Sequence, residues 1–225
     1  MSKNIGKSAR ARLPRKTHPI SKIKSLPQKK SKSKELEQVE KYLPDIFVTK
    51  LKNIYDKKPI QVPFKEIITE HYMNTDVARL VQKIQAEDDD EKRSALKKKS
   101  LAYILATFKT VEEEIDGIMK KTEGVSSKHF QSSQLLQFDI DDLELEQIPT
   151  VMGDIKKKIP ESFISMISPS GHGVRFIIML REPITLVSLY KKTYDHFKSQ
   201  YEAILNVTLD TTSDPVRKWY YTHVS

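Results

Sequence analysis

Asp139 and Asp141 stand two residues apart in LLQFDID (135–141), a run whose alternation and apolar content predict a β-strand. At that spacing both carboxylates leave the same face of the strand, while Phe138 and Ile140 leave the other, toward covering helices. Two hard oxygen donors placed this way suit Mg²⁺ or Mn²⁺. Metals held between such acids bridge the attacking and leaving oxygens of a phosphoryl transfer. Asp210, which ends NVTLD (206–210), is a third candidate for the same catalytic and metal-holding work. A DxD pair is also common at solvated strand ends, so its chemistry depends on what stands beside it.

A small, flexible hairpin turn is expected next to the acidic strand. In SPSGHG (168–173), Gly171 and Gly173 let backbone N–H groups approach a phosphate closely. Ser168 and Ser170 supply hydroxyl donors, and His172 or Arg175 supplies the cation that a triphosphate needs. His172 also reads as an ordinary turn histidine. Arg175 alternates with Val174 and Phe176 and is therefore expected on the face that carries the carboxylates. In LDTTSDPVRKWYY (209–221), Arg217 is a candidate phosphate contact. Asp214 is either an orienting acid or the initiator of an Asp-Pro turn. Trp219, Tyr220 and Tyr221 either stack on a base or belong to a core.

These residues must be positioned by an α+β scaffold. Strands are expected at 135–141, 162–167, 174–180 and 206–210. A helix over 147–159 carries Ile148, Val151, Met152, Ile155 and Ile159, and another opens at Pro183 and Thr185 and runs to about Ile204. Its apolar side is read as Leu186, Leu189, Tyr190, Phe197, Tyr201 and Ile204. The order β-α-β-β-α-β is the ferredoxin- or RRM-like arrangement, an antiparallel sheet with two helices on one face. The other face is then free for a site, with the strand of Asp210 beside that of Asp139. A further strand is expected at 218–224. Upstream, the pattern predicts a helix at 35–43, a strand pair at 46–54 and 59–62, two helices between Pro63 and Lys99, a strand at 101–108 and a helix at 110–121.

The chain has 225 residues and a net charge of +9. Residues 1–34 hold nine Lys, three Arg and no acid, whereas the remainder carries a charge of −3. A basic, Pro- and Ser-containing tail of this kind buries too little surface to order itself and suits non-specific contact with nucleic acid. Residues 35–225 read as one domain, with a lead-in (46–133) and a core (134–225). No cysteine is present, which excludes disulfides, Cys-ligated zinc and thiol catalysis and is compatible with a cytoplasmic location. No apolar h-region follows the basic N-terminus, and no run is long enough to span a membrane.

Taken in order, D-x-D on a strand, S-x-S-G-x-G-x-basic in a turn, and D…D-x-x-R resemble the archaeo-eukaryotic primase superfamily. The closest likeness is to the VirE N-terminal domain branch, found in bacterial mobile elements and often fused to a helicase. The segment IFVTKLKNIYDKKPIQVPFKEII (46–68) and the charged run through DEKRSALKKKSLAYILATF (90–108) are similar to that branch's lead-in, so the resemblance spans roughly 46–223. It implies a nucleotidyltransferase that binds a nucleoside triphosphate with Mg²⁺ or Mn²⁺ and copies single-stranded DNA, with a helicase acting in trans. Asp139, Asp141 and Asp210 would hold metal, and Ser170, Gly171 and Gly173 would shape the phosphate loop. The superfamily's usual histidine is replaced by Arg175, which does not shuttle protons. Two rivals use the same residues: a catalytically degenerate nucleic-acid-binding protein, and a metal-dependent nuclease.

Overall fold

The computed structural model describes residues 45–222. The expected basic tail, the helix at 35–43 and the last residues of the strand at 218–224 lie outside them. The first described elements are β1 (Phe47–Leu51) and β2 (Ile60–Pro63), an antiparallel pair with Val48 opposite Val62. Three helices follow: α1 (Phe64–Met73), α2 (Thr75–Gln85) and α3 (Asp90–Lys99). The α2 cap is Asn74, whose Oδ1 accepts from the N–H groups of Asp76 (3.0 Å) and Val77 (3.1 Å). Asp89 caps α3 in the same way. That helix opens on acids and closes on Lys97, Lys98 and Lys99, which complements its macrodipole.

Next come β3 (Ala102–Ile104) and β4 (Thr107–Phe108), where a single expected strand divides between two sheets. The helix expected at 110–121 is instead a hairpin of β5 (Val111–Ile115) and β6 (Ile118–Thr122). Its two-residue loop, Asp116-Gly117, has φ of 56° and 75°, the left-handed values that a tight hairpin turn demands. Glu112 and Glu113 face Lys121 and Lys120 across the ribbon, so charges that resemble a helix face are cross-strand pairs.

The C-terminal half contains β7 (Phe130–Ile140), α4 (Ile148–Lys158), β8 (Ser162–Ile167), β9 (Val174–Ile184), α5 (Val187–Leu205) and β10 (Trp219–Tyr220). One antiparallel sheet has the order β4-β7-β9-β8, and a second has the order β10-β3-β1-β2. The expected helix opening at Pro183 is shifted, because Pro183 and Ile184 finish β9. The buried stripe of α5 is therefore Tyr190, Tyr194, Tyr201 and Leu205, while Leu186, Leu189 and Ile204 are exposed. Residues 206–210 do not form the expected fourth strand. Asn206 ends α5 in the left-handed region (φ 54°), and the segment reaches β7 through one backbone bond, Asp210 N–H to the Asp139 carbonyl (3.0 Å). The other end of that β7 edge is taken by β4, with Thr107 opposite Ser132. The architecture is thus α+β with antiparallel sheets, and the β-α-β-β-α portion of the expected order is formed.

Two apolar layers sandwich the β7-β9 sheet. Phe138 stacks on Phe176 (5.2 Å between ring centroids) and on Tyr194 (4.8 Å), within a cluster that also takes in Ile148, Ile155 and Tyr201. The opposite face was expected to be uncovered. It carries Leu135, Ile177 and Met166, packed with Val48, Phe64, Tyr103 and Trp219 of the second layer. Those partners come from segments far away in the chain, and burying them against this face removes apolar surface that an open sheet would leave in water.

Candidate functional site

Strand alternation places the first pair. Asp139 and Arg175 are register partners on neighbouring strands, and both point away from the α4–α5 layer. They lie at the rim of the second layer, not on an open face. Asp139 is 4% exposed and Arg175 is 6% exposed, and Arg175 Nε donates to Asp139 Oδ1 at 3.0 Å. Arg175 also donates from a terminal nitrogen to the carbonyl of Tyr220 (2.7 Å). Two residues up β7, Gln137 accepts from the Tyr103 hydroxyl (2.8 Å), which continues the same polar row into the second sheet.

Asp210 reaches this pair through its backbone bond to Asp139. Its Oδ1 accepts from the Thr212 N–H and hydroxyl, both at 3.2 Å. Its Oδ2 accepts from Arg217 at 2.5 Å, and the same Arg217 nitrogen is 3.8 Å from Asp139 Oδ2. Arg217 also covers the Trp219 ring at 4.1 Å, with Arg175 at 5.5 Å from that ring. The aromatic run is accordingly divided: Trp219 and Tyr221 are core, and Tyr220 is half-buried. Asp214 accepts from the Val216 N–H (3.1 Å), the turn-initiating role.

The 168–173 turn sits beside these groups but is partly closed on itself. Ser168 N–H donates to the Gly173 carbonyl (2.8 Å) and Gly171 N–H to the Ser168 carbonyl (2.9 Å), so two of its backbone donors are already committed. The Ser168 and Ser170 hydroxyls are 3.0 Å apart. Gly171 has φ 79°. At Gly173 a Cβ would lie 2.6 Å from the Ile140 carbonyl and 3.1 Å from both Asp141 Oδ1 and Ser168 Oγ, which fits the turn tightly against the acidic strand end. His172 is half-buried, and its carbonyl accepts from the Leu143 N–H (2.9 Å).

The electrostatics follow from burial and pairing. Burial pushes the Asp139 carboxyl up, against the pull of Arg175 and Arg217. Burial also raises Asp141, opposed by Arg175. For Asp210 burial acts upward too, but the Arg217 bond and charge and the Thr212 donors outweigh it, and the carboxyl sits below the ordinary range. Lys97 of α3 was not singled out in the sequence. It is half-buried, and its ammonium is pushed down by burial and by Arg175, with Asp141 and Asp139 opposing. Gln85, the last residue of α2, packs near Gly171, where an added Cβ would meet its Cγ at 3.5 Å. The lead-in helices therefore help to build the site.

A divalent ion fits this arrangement poorly. Asp139 Oδ1 and Asp210 Oδ2 are each taken by a guanidinium. Among the described residues no three His, Asp or Glu side chains gather as a metal-holding group, and Asp141 is the site acid with no hydrogen bond to its carboxylate. A terminal nitrogen of Arg217 is buried without a hydrogen-bond partner, and an unpaired cationic donor of this kind calls for an anion.

Residues 115–223 match the model of the family described as BT4734-like, N-terminal domain. No curated protein matches the chain. Among solved structures, the chain is similar to the AEP domain of the cyanophage S-2L primase-polymerase (PrimPol), with 12% identity and a TM-score of 0.39 over 82% of this chain and 76% of that one. Among the described residues no helix is long and apolar enough to cross a membrane.

Proposed function

We propose that the chain is a primase-like nucleotidyltransferase domain, of a mobile element or phage, that takes a nucleoside triphosphate at the rim of β7 and β9 and acts on a single-stranded nucleic-acid template. The observation that carries this reading is the convergence of Asp139, Asp141 and Asp210 with Arg175 and Arg217 beside the 168–173 turn. The ordered motif set in the sequence supports it. Guanidinium forks bind phosphate oxygens in two places at once, and nucleotidyl transfer depends mainly on positioning and charge stabilisation. Arg217 can give phosphate the donors it now spends on Asp210 while keeping its stack on Trp219. Mg²⁺ or Mn²⁺ enters through the resemblance alone, because Asp139 and Asp210 are engaged by arginines and Asp141 is the acid left to meet a metal-bound triphosphate. A helicase in trans belongs to the same proposal.

The test is nucleotide incorporation on primed and unprimed single-stranded DNA with Mn²⁺. Incorporation should be lost in Asp141→Ala and Arg217→Ala. If Asp139→Asn and Asp141→Ala both retain it, the site is wrongly assigned.

A second reading is favoured by the ion pairs themselves. Asp139 and Asp210 are already neutralised by arginines, which suits a nucleic-acid-binding protein that does not polymerise. EDTA-insensitive binding without incorporation supports it, whereas cleavage of labelled single strands without added nucleotide supports a metal-dependent nuclease.

A further inference from the structure

The β1–β2 connection, KNIYDKKP (52–59), is ordered by its own polar groups. Asp56 accepts from the Lys52 and Lys58 N–H groups, both at 2.9 Å, and Asn53 Oδ1 accepts from the Tyr55 N–H at 2.8 Å. The turn's only acid is thus folded onto its own backbone. Lys52, Lys57 and Lys58 are exposed, and Tyr55 is 67% exposed although it is a large aromatic. A groove of about 490 Å³ opens next to this turn, lined by Lys57, Lys58, Gln61, Phe108, Lys109 and Glu123, among others. Its floor is tied across the two sheets by Gln61 Nε2 donating to the Phe108 carbonyl at 2.8 Å. At its other end the turn is joined to the site, because Lys218 Nζ donates to the Ile54 carbonyl and Lys218 directly follows Arg217.

Three lysines against one glutamate make the groove attractive to a polyanion, and the exposed ring of Tyr55 on the adjoining turn offers a face to an unstacked base. Basic side chains beside an exposed aromatic form a surface that tracks a single strand without reading its sequence. Duplex nucleic acid would present only phosphates and leave the ring unused. We propose that the β1–β2 turn and its groove bind single-stranded nucleic acid, with Tyr55 stacking on a base and Lys57, Lys58 and Lys109 contacting the backbone, and that the strand leads from there toward Arg217. This inference rests on the nucleotide-site reading for its direction, but none of the residues proposed to contact the strand belongs to the acid–arginine cluster, and Tyr55, Lys57, Lys58 and Lys109 all precede the matched 115–223 segment.

The experiment titrates the full chain, residues 1–34 included in every variant, into fluorescein-labelled oligo-dT of about 20 nucleotides, and separately into a fluorescent nucleoside triphosphate. Tyr55→Ala should weaken oligo-dT binding roughly tenfold, the loss of one base–ring stack, and Tyr55→Phe should restore it. Lys57→Ala/Lys58→Ala/Lys109→Ala should lower the log–log salt slope by about 2. Triphosphate binding should be unchanged in all of these and lost in Arg217→Ala. If the Tyr55 and lysine variants bind oligo-dT like the parent while Arg217→Ala still loses triphosphate, this inference is overturned and the proposed function stands. If the parent binds no triphosphate but its oligo-dT binding depends on Tyr55, the inference stands and the proposed function falls. If the lysine variant loses oligo-dT and heparin alike and Tyr55→Ala changes nothing, the surface is merely basic, which also overturns it.

Discussion

Arg175 and Asp139 face each other across adjacent strands, joined by a 3.0 Å bond from Nε to Oδ1, with each side chain almost wholly out of water (7% and 5% exposed). A pair so placed is costly to break from one side, because the surviving charge stays buried and uncompensated. Arg175→Met and Asp139→Leu should each lower stability by about 3–5 kcal/mol in urea denaturation. The double variant should lose much less than the sum, since neither charge remains. Additive losses would show that the two residues act separately. Any activity lost in Asp139→Asn must therefore be read beside its unfolding curve, which is why Asp141→Ala is the cleaner probe of chemistry.

Arg217 is the more exposed neighbour of this buried pair. It is 19% exposed, it touches Asp210 and Asp139, and its guanidinium lies over Trp219. Arg217→Lys keeps the charge but loses the planar fork and most of the stack. Triphosphate affinity should fall in Arg217→Lys nearly as far as in Arg217→Ala, by about tenfold or more, as read by titration with a fluorescent nucleotide. Full retention in the Lys variant would reduce Arg217 to a point charge.

Much of this was legible from one face of two strands. Alternation in LLQFDID and VRFIIML put Asp139 and Arg175 on a common face, and that parity follows from strand geometry alone. The covering of that face was not legible, because its partners, Val48, Tyr103 and Trp219, come from three distant segments. The β5–β6 hairpin was hidden by Glu112–Glu114 and Lys120–Lys121, whose spacing imitates a helix face. The Asp116-Gly117 dipeptide was the signal that would have exposed it. Residues 206–210 failed as a strand because Asn206 turns left-handed and the β7 edge is shared with β4.

Lys97 shows the same limit from the other side. The run Lys97, Lys98, Lys99 offers no reason to choose one lysine, and only the packing of α3 puts Lys97 near Asp141 and Arg175 while the other two stay exposed. Lys97→Ala should weaken triphosphate binding several-fold, whereas Lys98→Ala and Lys99→Ala should leave it unchanged. Equal effects at all three positions would point to general charge and not to a site lysine.

Asp210 gives a pH test with a definite sign. Its carboxyl lies below the ordinary 3.8 in the folded chain, with the Arg217 and Thr212 bonds overcoming the effect of burial. A depressed acid contributes stability that is fully present above the unfolded value and is lost as pH falls through the folded one. The melting temperature of Asp210→Asn should therefore lie below that of the parent at neutral pH, and the gap should close as pH drops below 3.8. A gap that persists undiminished at pH ~2 would assign the loss to packing and not to the ionised carboxylate.

The two turn glycines should separate backbone strain from site geometry. At Gly171 the left-handed φ of 79° is the whole difficulty, because a Cβ there meets nothing closer than Gln85 Cγ at an ordinary 3.5 Å. Gly171→Ala should cost about 1–2 kcal/mol and leave triphosphate affinity near that of the parent once the folded fraction is accounted for. At Gly173 the added methyl would stand 2.6 Å from the Ile140 carbonyl and crowd Asp141 Oδ1 and Ser168 Oγ. Gly173→Ala must push β7's end away from the turn, at about 1–3 kcal/mol, and it moves Asp141 as it does so. It should therefore lower incorporation well beyond its effect on stability, whereas Gly171→Ala should not. Equal activity in the two variants, each measured where it is fully folded, would mean that the position of Asp141 against the turn does not matter to the chemistry.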